Sequence, residues 1–303
     1  MKKHAYLIVA NANFRVLEIC LKMIDDIRND IYILFDAKAH ISTDKKELLK
    51  NCVRFSRIQF EKEIKVNWAG YSQIQAVMNL LKAATNIEDY EYIHFMQGSD
   101  LPIKSQDDIH EYFLKNKGYE FIQVEKSRNR MAQQKAWYRH FFCHNRFFRK
   151  NKFMKILNFG LVFIQKFLMI KKNTDIDLYQ GSALFSITED CARFILSKDY
   201  EIRKRFRFSL AADEVFLQTI LMNSEYKNKI KNILQDTSSN ARLIDRTRPD
   251  GKNSPHVWRN EELKYILNQS EDFCFARKFD EKIDFEIVKT IYSETAVANN
   301  SIR

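Results

Sequence analysis

Short apolar runs alternate with longer amphipathic stretches in the first part of the chain. The runs "HAYLIVA" (4–10) and "DIYILFDAK" (30–38) are rich in β-branched and aromatic residues, which is typical of buried strands. Between them, "NFRVLEICLKMIDDIRN" (13–29) repeats its apolar residues at helical spacing. This order of strand, helix and strand predicts a βαβ unit and therefore a parallel sheet.

The same pattern continues through the middle of the chain. Residues 71–86 and 105–116 have the helical period, and Ser105 is placed to cap the second helix. Strands are predicted at 90–100, 119–124 and 178–187, the first ending in the polar loop "QGSD". No repeat or Pro/Gly/Ser-rich linker divides the sequence. We therefore predict one α/β domain over residues 1–303, with a mostly parallel central sheet flanked by helices.

One segment, residues 147–172, is the most hydrophobic of the chain: "FFRKNKFMKILNFGLVFIQKFLMIKK". A membrane span needs roughly 20 apolar residues almost free of charge, whereas Lys155 and Lys166 fall inside this segment. Two interpretations remain: an interfacial helix whose basic residues face lipid headgroups, or a core helix with snorkelling lysines. The Lys and Arg residues at both ends favour the first, so an anionic membrane surface is an expected partner.

Composition narrows the possible partners. The 303 residues carry a formal charge of +11, which favours anionic partners such as nucleic acid, acidic membranes or phosphorylated substrates. No helix-turn-helix or RNA-binding signature is present, so we do not expect nucleic acid. Five scattered cysteines without a CxxC motif predict free thiols in a reduced compartment. The apolar run near the N-terminus is too short for a signal peptide and predicts a first strand.

Ligands of open α/β sheets bind beyond the carboxyl ends of the strands, where Asp36 and the 97–100 loop are expected. The absence of GxGxxG and GxxxxGK[ST] argues against dinucleotide and P-loop sites. A sugar-nucleotide site is consistent with this absence. Sugar transfer needs a base for the acceptor hydroxyl and positive charge on the departing diphosphate.

The D-x-D pair Asp175 and Asp177 could hold a metal, but its context is typical of a loop. Otherwise the basic stretches 241–258 and 274–280 could neutralise the diphosphate, unless they are simply a solvated surface.

An acidic pair, Asp213 and Glu214, precedes the amphipathic run "VFLQTIL". We expect Asp213 to cap a helix and Glu214 to enter its first turn, where packing of the apolar face would position it. Simple complementarity between Glu214 and the helix dipole is the alternative explanation. The predicted buried face consists of Phe216, Leu217, Ile220 and Leu221.

The order of motifs resembles the core-2/I-branching β-1,6-N-acetylglucosaminyltransferase family, with its peptide O-xylosyltransferase relatives. Similar stretches occur in family order from about residue 5 to 280. They are "AYLIVAN", "YILFDAK", "VNWAGYSQIQAVMNLLKAA", "YIHFMQGSDLPIKSQDDI", "YQGSALFSIT", "ADEVFLQTI", "RLIDRTRPDGKNSPHVW" and "CFARKFD".

This resemblance implies a GT-A-like nucleotide-sugar-binding fold, a UDP-sugar donor and inverting chemistry with no metal or other cofactor. It places the catalytic base at Glu214, a diphosphate contact at Lys278 and a nucleoside contact at Asp36. The other implied donor-binding residues are Val9, Ser99, Asp100, Arg246, Arg248 and Arg277, with Lys252 as a further candidate for the second basic diphosphate ligand. The implied acceptor-binding residues are Glu125, Trp137, Gly181 and Ser182.

The chain also departs from the animal enzymes of that family. Their paired-cysteine pattern is not seen in this sequence, no N-terminal membrane anchor is expected, and Asn11 stands where His is common. We therefore expect a bacterial enzyme, cytoplasmic and peripheral on the inner face of the membrane. The predicted activity is transfer of N-acetylglucosamine from its UDP donor to a glycan or glycolipid in lipopolysaccharide or capsule synthesis. UDP-xylose, UDP-glucose and UDP-galactose are alternative donors. The alternative to an enzyme is a non-enzymatic basic protein that binds nucleic acid or membranes.

Overall fold

A computed structural model describes residues 2–125, 129–148, 150–233, 239–248, 250 and 254–300. Its central sheet contains the strands β1 (Lys3–Ala10), β2 (Asn29–Phe35), β3 (Arg57–Phe60), β4 (Tyr90–Gln97) and β6 (Phe185–Thr188). Their order across the sheet is β3-β2-β1-β4-β6. The first four strands are parallel and β6 is antiparallel to β4, so the predicted mostly parallel sheet is confirmed.

Helices cover both faces of this sheet, as predicted. Alternate residues of β1 belong to two different cores. Leu7 packs with residues of the helices at 72–85 and 216–222, and Ile8 packs with those of the helices at 14–24 and 286–300. Because both faces are buried, the parallel strands read as continuous apolar runs. The helices are α1 (Phe14–Ile24), α2 (Thr43–Lys50), α3 (Ser72–Thr85), α4 (Gln106–Lys115), α5 (Asn129–Ala136), α6 (Lys152–Phe167), α7 (Glu189–Ser197), α8 (Asp199–Phe206), α9 (Phe216–Met222), α10 (Leu263–Asn268) and α11 (Glu286–Asn300).

A second, three-stranded sheet joins distant parts of the chain. It contains β5 (Asp100–Pro102), β7 (Arg242–Ile244) and β8 (Phe275–Arg277), in the order β5-β8-β7. β5 follows the "QGSD" loop directly, and its pairing with β8 sets Asp100 opposite Arg277. The loop after β4 and the "CFARKFD" segment, remote in sequence, therefore meet at one end of the central sheet.

Several local predictions are confirmed and two are wrong. The Ser105 hydroxyl caps α4 by accepting a hydrogen bond from the Asp108 N–H at 3.1 Å. All five cysteines are free thiols. Residues 119–124 form no strand, because Glu120 and Phe121 make isolated bridges to two different partners, Ile230 and Ser186. Only the last part of 178–187 is a strand.

Candidate active site

A cleft of about 550 Å³ opens at the carboxyl ends of the parallel strands, where the sequence predicted a site. A cleft of this volume is within the usual range for small-molecule sites. It is lined by loops after β1, β2, β3 and β4, by the loop before α6, and by the segments around β8. Its lining residues are Val9, Asn11, Ala12, Asn13, Asp36, Lys38, Val66, Trp68, Gln73, Gln97, Gly98, Ser99, Arg146, Lys150, Ser254, Pro255, Arg277, Lys278, Asp280 and Lys282.

Positive charge dominates this cleft. Of the lining residues that the structure describes, six are basic and two, Asp36 and Asp280, are acidic. Arg binds phosphate oxygens with a planar fork and Lys binds them as a point charge. The arrangement therefore suits a ligand with several negative charges, such as a nucleoside diphosphate. The basic residues are Lys38, Arg146, Lys150, Arg277, Lys278 and Lys282.

Asp36 shapes the loop after β2. Its side chain is buried and accepts hydrogen bonds from the backbone N–H of Lys38 at 3.0 Å and of Val66 at 3.1 Å. The Lys38 ammonium lies 3.3 Å from its other carboxylate oxygen. These contacts fix both Asp36 and Lys38 at the cleft wall, beside Val66.

Asp100 and Arg277 form an ion pair beneath the cleft. Arg277 Nη1 donates to Asp100 Oδ1 at 2.5 Å and to the Ser99 hydroxyl at 3.3 Å, while Nη2 donates to Gln97 Oε1 at 2.6 Å. Asp100 Oδ2 accepts the Gln97 N–H at 2.8 Å. Arg277 thus holds the "QGSD" loop in place in addition to lining the cleft.

Lys278 follows β8 directly and lines the cleft. The Trp258 indole donates to the Arg277 carbonyl at 2.9 Å, and the Trp258 N–H donates to the Lys278 carbonyl at 3.0 Å. Trp258 is among the largest fully buried side chains. The Lys278 backbone is therefore anchored on the core.

Two of the other basic candidates, Arg246 and Arg248, lie outside the cleft lining. Arg246 and Arg248 are exposed, and neither lines the cleft. Arg248 instead pairs with Asp245 at 2.7 Å and with Glu262 at 2.9 Å. Lys252 lies outside the described residues.

Asp213 and Glu214 lie in a short 3-10 helix, Ala212–Glu214, and α9 begins only at Phe216. The predicted capping role of Asp213 is wrong, because its carboxylate is buried and accepts a hydrogen bond from Gln73 Nε2 at 2.9 Å. Burial and then the charge of Glu214 raise the pKa of Asp213 to about 7. The predicted apolar face of α9 is confirmed: Phe216, Leu217, Ile220 and Leu221 are all buried.

Glu214 is partly accessible and held at two points. The Lys135 ammonium lies 2.5 Å from its Oε2, with side-chain exposures of 15% for Lys135 and 32% for Glu214. The Glu214 carbonyl accepts the Gly181 N–H at 2.9 Å. Gln73, which lines the cleft and binds Asp213, connects this carboxylate pair to the cationic cleft.

The four residues expected to bind an acceptor lie on segments that adjoin Glu214. Glu125 N–H donates to the Gln180 carbonyl at 2.7 Å, next to Gly181. A side chain at Gly181 would put its Cβ 1.7 Å from the Gln123 carbonyl oxygen, so this close approach requires glycine. Ser182 is buried beside it. Trp137 follows α5 and is covered by the Lys171 ammonium, 4.6 Å from the ring centre.

Asp175 of the D-x-D pair has a structural role. Asp175 binds Arg205 through both carboxylate oxygens, at 2.9 and 2.8 Å, and hydrogen bonds from Arg205 lower its pKa to about 2. Within the described residues, no three His, Cys, Asp or Glu side chains come together as a metal site.

Sequence reasoning missed several residues of this site. Lys38, Trp68 and Gln73 lie inside or beside stretches that carried the family resemblance, so that alignment could have indicated them. Lys150 lies in the segment 147–172, whose basic residues are predicted to face lipid headgroups, and Arg146 lies just before it. Nothing in the sequence shows that their loop returns to the edge of the β-sheet. Lys135 carries no local signal, since its partner Glu214 is 79 residues away.

An α/β fold with a basic cleft, beside a carboxylate pair of which Asp213 is buried and Glu214 accessible, suits an enzyme acting on an anionic substrate. The chain belongs to the Core-2/I-Branching enzyme family, whose model matches residues 4–266, and it is a glycosyltransferase. Among solved structures, it is similar to the apo form of mouse xyloside xylosyltransferase 1, at 10% sequence identity and a TM-score of 0.39, over 75% of this chain and 83% of that one. No curated protein sequence gives a significant match.

Proposed function

We propose that this enzyme transfers a sugar from a UDP-sugar, preferably N-acetylglucosamine in β linkage, to a hydroxyl group of a glycan, with inversion at the anomeric carbon. The observation that carries the proposal is the position of Glu214: an accessible carboxylate, fixed by Lys135, beside Asp213, which Gln73 joins to a cleft with six basic residues. A base and a diphosphate site are the two parts that sugar transfer needs.

The proposed mechanism is a single displacement. Glu214 takes the proton of the acceptor hydroxyl as its oxygen attacks the anomeric carbon. The bond from that carbon to the β-phosphate oxygen breaks at the same time, and UDP leaves with the electron pair. Lys135 fixes Oε2 of Glu214, so Oε1 is the oxygen that receives the proton.

Donor binding follows from the cleft lining. Asp36 and Val9 lie on the wall proposed for the nucleoside, at the ends of β2 and β1. Lys278 and one of the guanidinium groups, Arg277 or Arg146, would stabilise the negative charge that develops on the diphosphate. We propose that these side chains replace a divalent cation, so that the reaction needs no metal.

The proposed function also includes an acceptor and a cellular location for the enzyme. A bacterial enzyme on the cytoplasmic face of the inner membrane, extending a glycan or glycolipid of lipopolysaccharide or capsule, fits the unpaired cysteines and the basic apolar segment at 147–172. Family membership favours an enzyme over a non-enzymatic basic protein. UDP-xylose, UDP-glucose and UDP-galactose remain alternative donors, and thermal-shift screening of these UDP-sugars would separate them, because a ligand that binds only the folded state raises its stability.

Replacement of the base tests the mechanism. Glu214→Gln keeps the shape of the side chain but accepts no proton, so transfer should fall roughly 10²- to 10⁴-fold while UDP binding persists. Glu225→Gln, an exposed residue on the next short helix, is the matched control and should retain full activity. Transfer by Glu214→Gln at the control rate would remove Glu214 as the base.

A further inference from the structure

The helix α6 presents its apolar residues to solvent. Of its 16 residues only Asn158 and Val162 are buried. A helix on a protein in water normally turns its apolar stripe inward and its polar side outward, and α6 does the reverse. Its exposed large apolar residues include Phe153 (66%), Ile156 (66%), Phe163 (70%) and Phe167 (78%).

Polar side chains attach α6 to the body of the protein. Asn158 Nδ2 lies 2.9 Å from His140 Nδ1, and Gln165 bonds both the N–H and the carbonyl of Arg139, at 2.9 and 3.0 Å. These anchors fix the rotation of the helix, so its apolar face is held outward by the fold. The core-helix interpretation of this segment is therefore wrong.

The charge of the segment around α6 indicates which partner would contact the exposed apolar face of the helix. From residue 126 to residue 174 the sequence has 13 Lys or Arg and no Asp or Glu, so the rest of the chain, by difference from +11, carries a net charge of −2. All the net positive charge thus lies in the segment that contains α6. A second copy of the chain would bring the same positive segment against this one, whereas an anionic bilayer complements it.

We propose that α6 lies in the interface of an anionic membrane, with Phe153, Ile156, Phe163 and Phe167 among the acyl chains and the neighbouring basic residues at the headgroups. Lys155 and Lys166 are placed to snorkel from its flanks. None of the helices in the described part of the chain has the length and apolar character needed to cross a bilayer, so this contact is peripheral.

Both ends of this docking surface lead to the candidate active site. Arg146 and Lys150, just before α6, line the cleft. After α6, the Lys172 N–H bonds the Trp137 carbonyl at 2.8 Å, two residues from Lys135. Docking would therefore set the cleft at the headgroup level. This rests on the proposed glycosyl transfer and deepens it: the acceptor glycan is carried on a membrane lipid.

Vesicle co-sedimentation of the full chain tests the docking surface. We expect binding to vesicles containing phosphatidylglycerol, weaker binding to pure phosphatidylcholine, and loss of binding as salt rises. The double variant Phe163→Ser, Phe167→Ser should bind about tenfold less or weaker still, because two exposed rings no longer enter the bilayer. Lys152→Gln with Lys166→Gln should reduce only the phosphatidylglycerol-dependent part.

The matched control is Phe55→Ser with Tyr200→Ser, since these side chains are 67% and 79% exposed elsewhere on the chain, and it should bind as the wild type does. Equal binding of the α6 double variant and the wild type would overturn the proposal. So would sedimentation velocity showing a dimer that the α6 substitutions abolish, since a second copy would then cover the face. UDP binding in solution should be unchanged in all three double variants, so failure of docking is distinguishable from failure of the glycosyltransferase mechanism.

Discussion

At the scale of single residues, two adjacent carboxylates have different environments. Asp213 is buried with Gln73 as its partner, whereas Glu214 is partly exposed and paired with Lys135. A sequence motif shows that both acids are present, but not which one is buried. That division, one enclosed carboxylate beside one accessible carboxylate, is what makes Glu214 the candidate base.

Asp213 should cost stability at neutral and alkaline pH. Its folded pKa, about 7, lies above the ordinary value of 3.8, so the folded state holds a proton that the unfolded state releases, and stability falls as pH rises from about 4 to about 7. Asp213→Asn removes this penalty. We expect the variant to gain roughly 1–4 kcal/mol over the wild type at pH 8, and much less at pH 4.5, in urea unfolding.

The control for this measurement is Asp190→Asn, since Asp190 is an exposed residue in the first turn of α7. Its stability difference from the wild type should vary little over the same pH interval. An Asp213→Asn difference that is the same at pH 4.5 and pH 8 would mean that Asp213 is ionised in the folded state throughout.

At the scale of elements, sequence periodicity correctly predicted the helices and strands whose apolar residues follow a regular local pattern. The β1-α1-β2 unit, α3, β4 and α4 were all predicted, because each buries a continuous or periodic apolar set. The strand predictions for residues 119–124 and 178–182 were wrong, because the backbone groups there bond to scattered partners, as Gly181 does to Glu214. In the site, Asp36, Lys278 and Glu214 were indicated by family motifs, whereas Arg146 and Lys135 reach it only through tertiary packing.

Three buried histidines lie between β1, β4 and α4. His4 Nδ1 lies 3.1 Å from His94 Nε2, and the His4 ring stacks on that of His110. Burial is the main cause that lowers the pKa of all three, with the positive charges of Arg28 and Arg242 adding to it. For His110 the pKa falls to about 4.

These histidines should make the fold sensitive to acid. Below about pH 6.5 the unfolded chain protonates them and the folded state does not, so stability falls as pH drops toward 4. Each contributes up to about 1.4 kcal/mol per pH unit. His110→Gln should reduce the slope of unfolding free energy between pH 6 and pH 5, whereas the exposed His40→Gln should not. An unchanged slope in His110→Gln would show that His110 is protonated in the fold.

At the scale of the whole molecule, positive charge is concentrated in two regions. One is the cleft, where six basic residues face a space of about 550 Å³, and the other is the surface of α6. Arg146 and Lys150 belong to the cleft lining and to the basic segment at once. The proposed donor binding and the proposed membrane docking would therefore use neighbouring parts of one positive region, as transfer of a sugar from a soluble anionic donor to a lipid-borne acceptor requires.

Calorimetric titration of UDP into the full chain with excess EDTA tests the central claim, that side chains alone hold the donor diphosphate. We predict saturable binding under these conditions. Lys278→Ala should weaken it roughly 10- to 100-fold, as loss of a charge-assisted contact implies, whereas Arg246→Ala, an exposed cation outside the cleft lining, should leave it unchanged. Absence of UDP binding in EDTA with restoration by Mn²⁺, or equal affinity in Lys278→Ala and Arg246→Ala, would contradict the account.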